Sequence, residues 1–394
     1  MKIGIDIRSL TEPTPTGVGV YTRSLVRSFQ NVAPEVELRL FAWGARERSL
    51  RDLEIAEQEG TTLTWLRKPS KLLSSRAALW RGVPADRVVG GVDVWFSPNI
   101  NFTALSPGTP HVLTVHDLSF DLYPSFFSLR RRLWHVATHA RRMISLATHL
   151  VCDSRSTAQD LMARYGIPLE RISVVPLGAP AVVRPTAEVR TQVRRRLKLP
   201  EQYLLAIGTI EPRKNLVTLV QAFEEVAWSR PELGLVIVGP WGWRSGDFAR
   251  AISASPLADH IHVVGYLNEQ DKQALLTDAL ALYSVSSYEG FGLPVLEAMQ
   301  LGVPVLTANI SSLPEVTRSA AVLIDPERPM AITQALLELL NDGELSSSLA
   351  RRGYLRSKCY SWDECARQTL KVLAAVAEQG VGIAPERIVA AEVL

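Results

Sequence analysis

Short apolar runs alternate with helical patterns along almost the whole chain. In the first half, KIGIDI (2–7), VELRLFA (36–42), VDVWFS (92–97), HVLTVHD (111–117) and HLVCDS (149–154) have the length and β-branched content of buried strands. Residues 20–29 and 157–165 read as helices between them. The pattern restarts with YLLAIG (203–208), a helix over 216–228, and strands at LGLVIVG (233–239), IHVVGYL (261–267), LALYSV (280–285) and VPVLTA (303–308). Strands alternating with helices predict parallel sheets covered by helices.

Between the two series lies PLGAPAVVRPTAEV (176–189), rich in proline and weak in periodicity, which marks an interdomain linker. The expected division is therefore an N-terminal domain over 1–178 and a C-terminal domain over 187–360. SWDECARQTLKVLAAVAEQG (361–380) reads as one amphipathic helix capped by Ser361 and stopped by Gly380.

At 394 residues the chain fits two domains. Hydrophobic residues make up 47% and charged residues 21%, a globular balance with no apolar run long enough to span a bilayer. The N-terminus has a strand pattern rather than that of a secretory signal. Cys152, Cys359 and Cys365 are odd in number and lack metal-ligand spacing, so each reads as a small buried side chain in a reducing, cytoplasmic setting. Net charge is only +3, yet cations exceed carboxylates in the first 180 residues and fall short of them in the rest.

The densest chemistry is EGFGLPVLE (289–297). It follows a strand, at the sheet edge where ligands of open α/β folds sit. Pro294 suits a first helical turn and Gly302 a helix end, so a helix over 293–301 is expected. Its free N–H groups favour an anion, and Gly290 and Gly292 allow close backbone approach. Glu289 then precedes the helix and Glu297 lies one turn inside it; the alternative is two solvated glutamates on a surface turn.

Three further stretches sit at strand ends. IGTIEPRKNL (207–216) places Arg213 and Lys214 before a helix, where two cations can hold a diphosphate as leaving group; the plain alternative is a charged loop capped by Asn215. TPTGVGVYTRSL (14–25) reads as a glycine-rich loop with Gly17 and Gly19, without the full dinucleotide fingerprint. LTVHDLSF (113–120) puts His116 at a strand end, as a hydrogen-bond donor to a substrate hydroxyl or as a structural histidine. No DxD, HExxH, Walker or GxSxG motif is present, so no metal is expected to neutralise a diphosphate.

Together EGFGLPVLEAMQLGVPV, GTIEPRKNL, GPWGW (239–243), VVGYLNEQDKQALL (263–276), TVHDLSF and the terminal SWDECA helix resemble the family 4 retaining glycosyltransferases of the GT-B fold. HDLSF…YP and GPWGW point toward bacterial mannosyltransferases of O-antigen and related polysaccharide synthesis. The resemblance implies two Rossmann-like α/β domains with parallel sheets facing across a cleft. The C-terminal domain would hold the nucleotide sugar, the N-terminal domain the acceptor, and the last helix would cross back to the N-terminal domain.

The resemblance also implies roles. Arg213 and Lys214 would bind the donor diphosphate, Glu297 the ribose and Glu289 the donor sugar, aided by backbone N–H groups of Phe291, Gly292 and Leu293. His116 would contact the transferred sugar, Gly17 and Gly19 would approach the diphosphate and acceptor, and Leu267 and Lys272 would read the base. Thr209 stands where many relatives carry a cation, so one phosphate contact is supplied elsewhere or absent.

GDP-mannose is the favoured donor and a glycan or lipid-linked saccharide the acceptor. Open alternatives are a UDP-sugar transferase, a non-catalytic sugar-nucleotide-binding protein and an epimerase on the same fold. Nucleic-acid binding has no reader motif to support it. SFFSLRRRLWHVATHARRMISLA (125–147) combines Arg130, Arg131, Arg132, Arg141 and Arg142 with Phe126, Phe127 and Trp134. Its composition fits either peripheral docking on the anionic inner face of the plasma membrane or a solvated helix face.

Overall fold

In the computed structural model, which describes residues 1–11, 16–44, 47–67, 83–132, 139–180 and 182–379, the strands form two separate parallel sheets. The first comprises β1 (Lys2–Asp6), β2 (Glu37–Gly44), β3 (Thr61–Arg67), β4 (Val94–Ser97), β5 (His111–Val115), β6 (His149–Cys152) and β7 (Ile172–Val174), in the order β3-β2-β1-β4-β5-β6-β7. The two edge strands, β3 and β7, escape the sequence reading. β3 interleaves threonines with its apolar residues, and β7 is three residues long. The central strands carry the apolar runs because both of their faces are covered.

Helix α1 (Gly17–Val32) begins three residues earlier than its apolar periodicity suggests. Thr16 caps it, its Oγ1 accepting from Gly19 N–H at 3.2 Å. Gly17 and Gly19 therefore lie in the first turn of a helix, not in a free loop. Helix α2 (Arg155–Tyr165) is capped by Ser154, whose Oγ accepts from Thr157 N–H at 3.1 Å. The terminal helix (Trp362–Gln379) packs on α1 through a stripe that includes Cys365, Thr369, Val372 and Val376. Gly380, its expected stop, falls outside the described residues. Cys152 and Cys365 are buried, whereas Cys359 is exposed, against expectation.

The second sheet contains β8 (Gln202–Ile207), β9 (Leu233–Val238), β10 (Ile261–Gly265), β11 (Ala281–Ser284), β12 (Val305–Ala308) and β13 (Val322–Ile324), in the order β10-β9-β8-β11-β12-β13. Successive residues sort to opposite faces. Leu204, Ala206, Leu235, Ile237 and Tyr283 face α4 (Leu216–Ala227) and α7 (Pro329–Asn341). Tyr203, Leu205, Val236, Val238 and Leu282 face α3 (Ala187–Arg196), α5 (Glu269–Asp278) and α6 (Leu293–Leu301). α8 (Gly343–Ser357) packs on α6, where a Cβ on Gly353 would lie 3.2 Å from Met299 Cγ.

Two compact units follow. One holds Met1–Leu118, Arg130–Gly178 and the terminal segment from Ser361, the other Ala179–Tyr360 together with Ser119–Leu129. The expected N-terminal domain over 1–178 is thus corrected by one segment, which belongs with the second sheet. Gly178 closes the first unit tightly, since a Cβ there would lie 2.3 Å from Trp362 N.

Candidate functional site

In an open parallel sheet the crevice opens where the strand order reverses. In the second unit that point lies between β8 and β11. β8 runs into Gly208 and β9 into Gly239, with φ of +146° and +147°. A Cβ on Gly239 would lie 2.0 Å from Gly208 O, and one on Gly208 would lie 2.7 Å from Lys214 Cε. The two glycines form a floor, and the Lys214 side chain crosses it.

Beyond Gly208 the chain makes a 3-10 turn over Pro212–Lys214 and enters α4 through Asn215, which has a left-handed backbone. The Asn215 side chain does not cap α4; its Nδ2 donates to Val285 O and Pro326 O, at 3.3 and 2.9 Å. The turn aims Arg213 and Lys214 at the loop after β11. Arg213 Nη1 donates to Glu289 Oε2 at 2.6 Å and to Tyr288 O at 2.8 Å, while its Nε donates to Glu211 Oε1 at 3.0 Å. Lys214 Nζ and Ser286 Oγ donate to Glu289 Oε1 at 2.5 and 2.7 Å.

Glu289 and Glu297 are each 8% exposed, so neither is a solvated surface acid. Burial alone would raise the Glu289 carboxyl, but Arg213, Lys214 and the hydrogen bonds from Lys214 and Ser286 outweigh it and hold it at about 2. Its backbone is pinned too: Ser311 Oγ accepts from Glu289 N–H at 3.1 Å, and Ser312 Oγ donates to Glu289 O at 2.9 Å.

Helix α6 begins at Leu293 with Pro294 in its first turn and ends at a left-handed Gly302. Gly292 precedes it with φ of +104°, where a Cβ would meet Leu313 at 2.8 Å. Phe291 is buried, its carbonyl accepting from Ser312 Oγ at 3.0 Å, and Leu293 is half-buried. One turn into α6, Glu297 Oε1 accepts from Lys272 Nζ at 2.9 Å. Its Oε2 is buried and has no hydrogen-bond partner among the described residues. Burial raises the Glu297 carboxyl, and Lys272 offsets that only in part. Lys272, on α5, is thus already paired with Glu297, and Leu267 lies half-buried in the loop after β10.

The remaining expected residues lie in the first unit. His116 follows β5, with Nδ1 2.6 Å from Asp153 Oδ2 and Nε2 2.9 Å from Pro98 O. A carbonyl only accepts, so Nε2 carries a proton; the Asp153 carboxylate favours a second on Nδ1. Burial works against that charge, but Asp153 prevails and the imidazole titrates above its ordinary value. Both nitrogens are therefore engaged within the protein, the arrangement that the structural-histidine alternative describes. Tyr21, on α1, presses edge-on to the His116 ring at 4.8 Å. Gly17 is exposed and Gly19 buried, and Gly19 N–H is already held by Thr16.

Some partners carry no local motif. Ser286 and Tyr288 read as ordinary loop residues, Glu211 as part of the EPRKN stretch and Asp153 as the end of a strand before a helix cap, with nothing to mark any of them as a partner. Asp6 and Arg8, a buried ion pair at the end of β1, could have been found as charges inside the apolar run KIGIDIR.

Segment Ser119–Leu129 braces the same site. Tyr123 stacks on Phe126 at 5.1 Å and tilts against Tyr288 at 5.4 Å. Trp243 donates its indole hydrogen to Phe126 O at 2.8 Å and stacks on Phe127 at 5.6 Å. Gly242, beside it, donates to Ile210 O at 3.0 Å, in the strand-end loop that leads to Arg213. The segment thus abuts both loops that supply the Arg213–Glu289 pair. Phe127 is buried in this brace and Phe126 half-buried, so they do not form an exposed interfacial face; Trp134 falls outside the described residues.

Two parallel α/β units, with a cation–carboxylate cluster at the switch point of the second, have the architecture of GT-B glycosyltransferases. The family description "Glycosyltransferase Family 4" matches residues 15–201 and "Glycosyl transferases group 1" matches residues 189–356. The chain belongs to the family 4 glycosyltransferases. It is 29% identical to the O-antigen chain mannosyltransferase B of Escherichia coli, over 91% of this chain and 97% of that protein. It is 32% identical to the D-inositol 3-phosphate glycosyltransferase of Salinispora tropica, over 60% of this chain but only 53% of the relative. The structure of Anabaena HepE in complex with UDP and glucose superposes with a TM-score of 0.72 at 16% identity, covering 95% of this chain and all of that one. The chain is a glycosyltransferase.

Proposed function

We propose that this enzyme transfers mannose from GDP-mannose, with retention at the anomeric carbon and without a metal, to a saccharide or lipid-linked saccharide during polysaccharide synthesis. The observation that carries this reading is the convergence of Arg213 and Lys214 on Glu289 at the switch point. The two cations would hold the diphosphate and stabilise it as it leaves. Glu289, ionised throughout the neutral range, cannot act as an acid; it accepts hydrogen bonds from sugar hydroxyls and faces the positive charge developing at the anomeric carbon. The orphaned Glu297 Oε2 would accept from a ribose hydroxyl, while Leu267 and Lys272 flank the base and the N–H groups of Phe291, Gly292 and Leu293 the sugar.

In the reaction the bond from the anomeric carbon to the diphosphate oxygen breaks. One to the acceptor oxygen forms on the same face, and the acceptor proton passes to the leaving phosphate. His116 would contact the sugar only by exchanging Pro98 O for a hydroxyl, and Gly17 and Gly19 would line the acceptor side.

The mannosyl reading is supported by the E. coli relative, which spans nearly the whole chain. The UDP–glucose complex of HepE favours a second reading, a UDP-sugar donor. Calorimetric titration with GDP, UDP, GDP-mannose and UDP-glucose, followed by transfer assays with and without EDTA, separates them. Tight GDP-mannose binding with EDTA-resistant, retaining transfer is expected; tighter UDP-glucose binding would overturn the donor assignment. Glu297→Gln should weaken nucleotide binding about tenfold if one ribose hydrogen bond to a charged acceptor is lost.

Among the described residues no helix is long and apolar enough to cross a membrane. Membrane docking through 125–147 would rest on exposed Arg130, Arg131, Arg141 and Arg142 with Leu129 and Leu146. Flotation with anionic vesicles at low salt tests it, and absence of binding would sink it.

A further inference from the structure

Helix α6 carries Glu297 at its middle, and at its C-terminal end opens a cavity of about 530 Å³. Gln300, Leu301 and Gly302 form one wall, and α8 and the residue after it supply Arg351, Tyr354 and Lys358. The linker closes a third side with Val182 and Arg184. Arg184, Arg351 and Lys358 all line it, and no carboxylate does.

All three cations are exposed, and neither partner acids nor the helix end accounts for their convergence on one cleft. They could answer acids, yet Arg184 and Arg351 make no ion pair or side-chain hydrogen bond among the described residues, and Lys358 Nζ only sits 4.4 Å over the Tyr354 ring. They could satisfy the carbonyls at the end of α6. Two of those are already closed by backbone: Gly302 N–H donates to Met299 O at 3.1 Å and Val303 N–H to Ala298 O at 2.9 Å. One more group is unspent. The Gln300 side-chain oxygen is buried without a partner, and because an amide's oxygen and nitrogen can exchange places, that position can present a donor.

We propose that this cleft binds a phosphate-bearing ligand, a mono- or diphosphate ester. Arg184, Arg351 and Lys358 take the anion, and Tyr354, Leu301 and Val182 cover its uncharged part. The volume suits a small organic molecule. The same chemistry could come from a soluble phosphate ester or from an anionic lipid headgroup. The site does not rest on the donor reading; its wall begins at Gln300, three residues beyond Glu297 on α6.

The test must keep Arg213 and Lys214 from reporting. In an Arg213→Ala/Lys214→Ala background, inorganic pyrophosphate is titrated by calorimetry at low salt. Flotation is run with vesicles of phosphatidylglycerol and of phosphatidylcholine. Saturable pyrophosphate binding is expected, weakened at least about tenfold by adding Arg351→Ala and Lys358→Ala, since charge-assisted contacts are lost. Binding to phosphatidylglycerol vesicles alone, lost with the same two substitutions, would assign the ligand to a headgroup. The idea is overturned if neither probe binds, or if binding persists undiminished in the Arg351→Ala/Lys358→Ala protein. Both side chains are exposed, so circular dichroism and Tm should be unchanged and folding failure would not imitate the result.

Discussion

Trp243 donates its indole hydrogen to the carbonyl of Phe126, 117 residues earlier in the chain. Through this bond the motif HDLSF…YP and the motif GPWGW become one structure. The bond and the adjoining stacks hold segment Ser119–Leu129 against the loops that carry Arg213 and Glu289. Trp243→Phe keeps a ring and removes only the donor to Phe126 O. It should cost about 1 kcal/mol of stability and raise the donor KM with little change in kcat. Trp243→Ala should lower both stability and kcat/KM further. Steady-state kinetics and urea unfolding check this, and an unchanged KM in both variants would sever the brace from the site.

Glu289 joins the two cations, so its removal should separate binding from transfer. Glu289→Gln should retain nucleotide binding within a few-fold while transfer falls about 100-fold or more. The carboxyl also has an acid signature. A group at about 2 when folded and about 4.3 when unfolded contributes about 3 kcal/mol of stability, fully present above the unfolded value. That contribution is lost as pH falls toward 2. The stability difference between the native protein and Glu289→Gln should therefore narrow steadily below pH 4.5; a difference independent of pH would contradict the assigned charge state.

Gly239 and Gly208 should differ in what they tolerate. An alanine methyl at Gly239 would strike the backbone oxygen of Gly208, which cannot turn aside. At Gly208 it would strike the flexible end of Lys214. Both positions carry a backbone that disfavours a Cβ, a strain of about 1–3 kcal/mol. Gly239→Ala should be the more destabilising in chemical denaturation, while Gly208→Ala should mainly weaken nucleotide binding by displacing Lys214. The reverse order of stabilities would refute this account of the floor.

The Asp153 carboxylate raises the His116 imidazole above its ordinary value, and the sign of its pH dependence follows. A histidine raised by folding contributes stability fully present below about 6.5, its unfolded value, and lost as pH rises through the folded value. The advantage of the native protein over His116→Gln should be greatest near pH 6 and decline toward pH 9 in urea titrations. Asp153→Asn should abolish the slope, and a slope of opposite sign would show a neutral imidazole.

The alternation of apolar runs was enough to read the parallel sheets, because buried central strands must be apolar on both faces. It was silent on the edge strands β3, β7 and β13, whose positions permit threonine or little length at all. The helix over Leu293–Leu301 was legible to the residue, because Gly292, Pro294 and Gly302 act through local backbone geometry. Arg213, Lys214, Glu289 and Glu297 were recognisable as a group by type and by their place at strand ends.

What the chain order could not convey is partnership. That Arg213 and Lys214 close on Glu289, that Lys272 holds one oxygen of Glu297 and leaves the other bare, and that Asp153 pairs with His116 depend on strands brought side by side from distant parts of the chain. The same holds for Ser119–Leu129, which lies between β5 and β6 of the first sheet in sequence yet groups with the second unit. Local patterns determine backbone periodicity and capping, whose hydrogen bonds span a few residues. Ion pairs, stacking and burial act through space, and only the tertiary structure decides which residues meet.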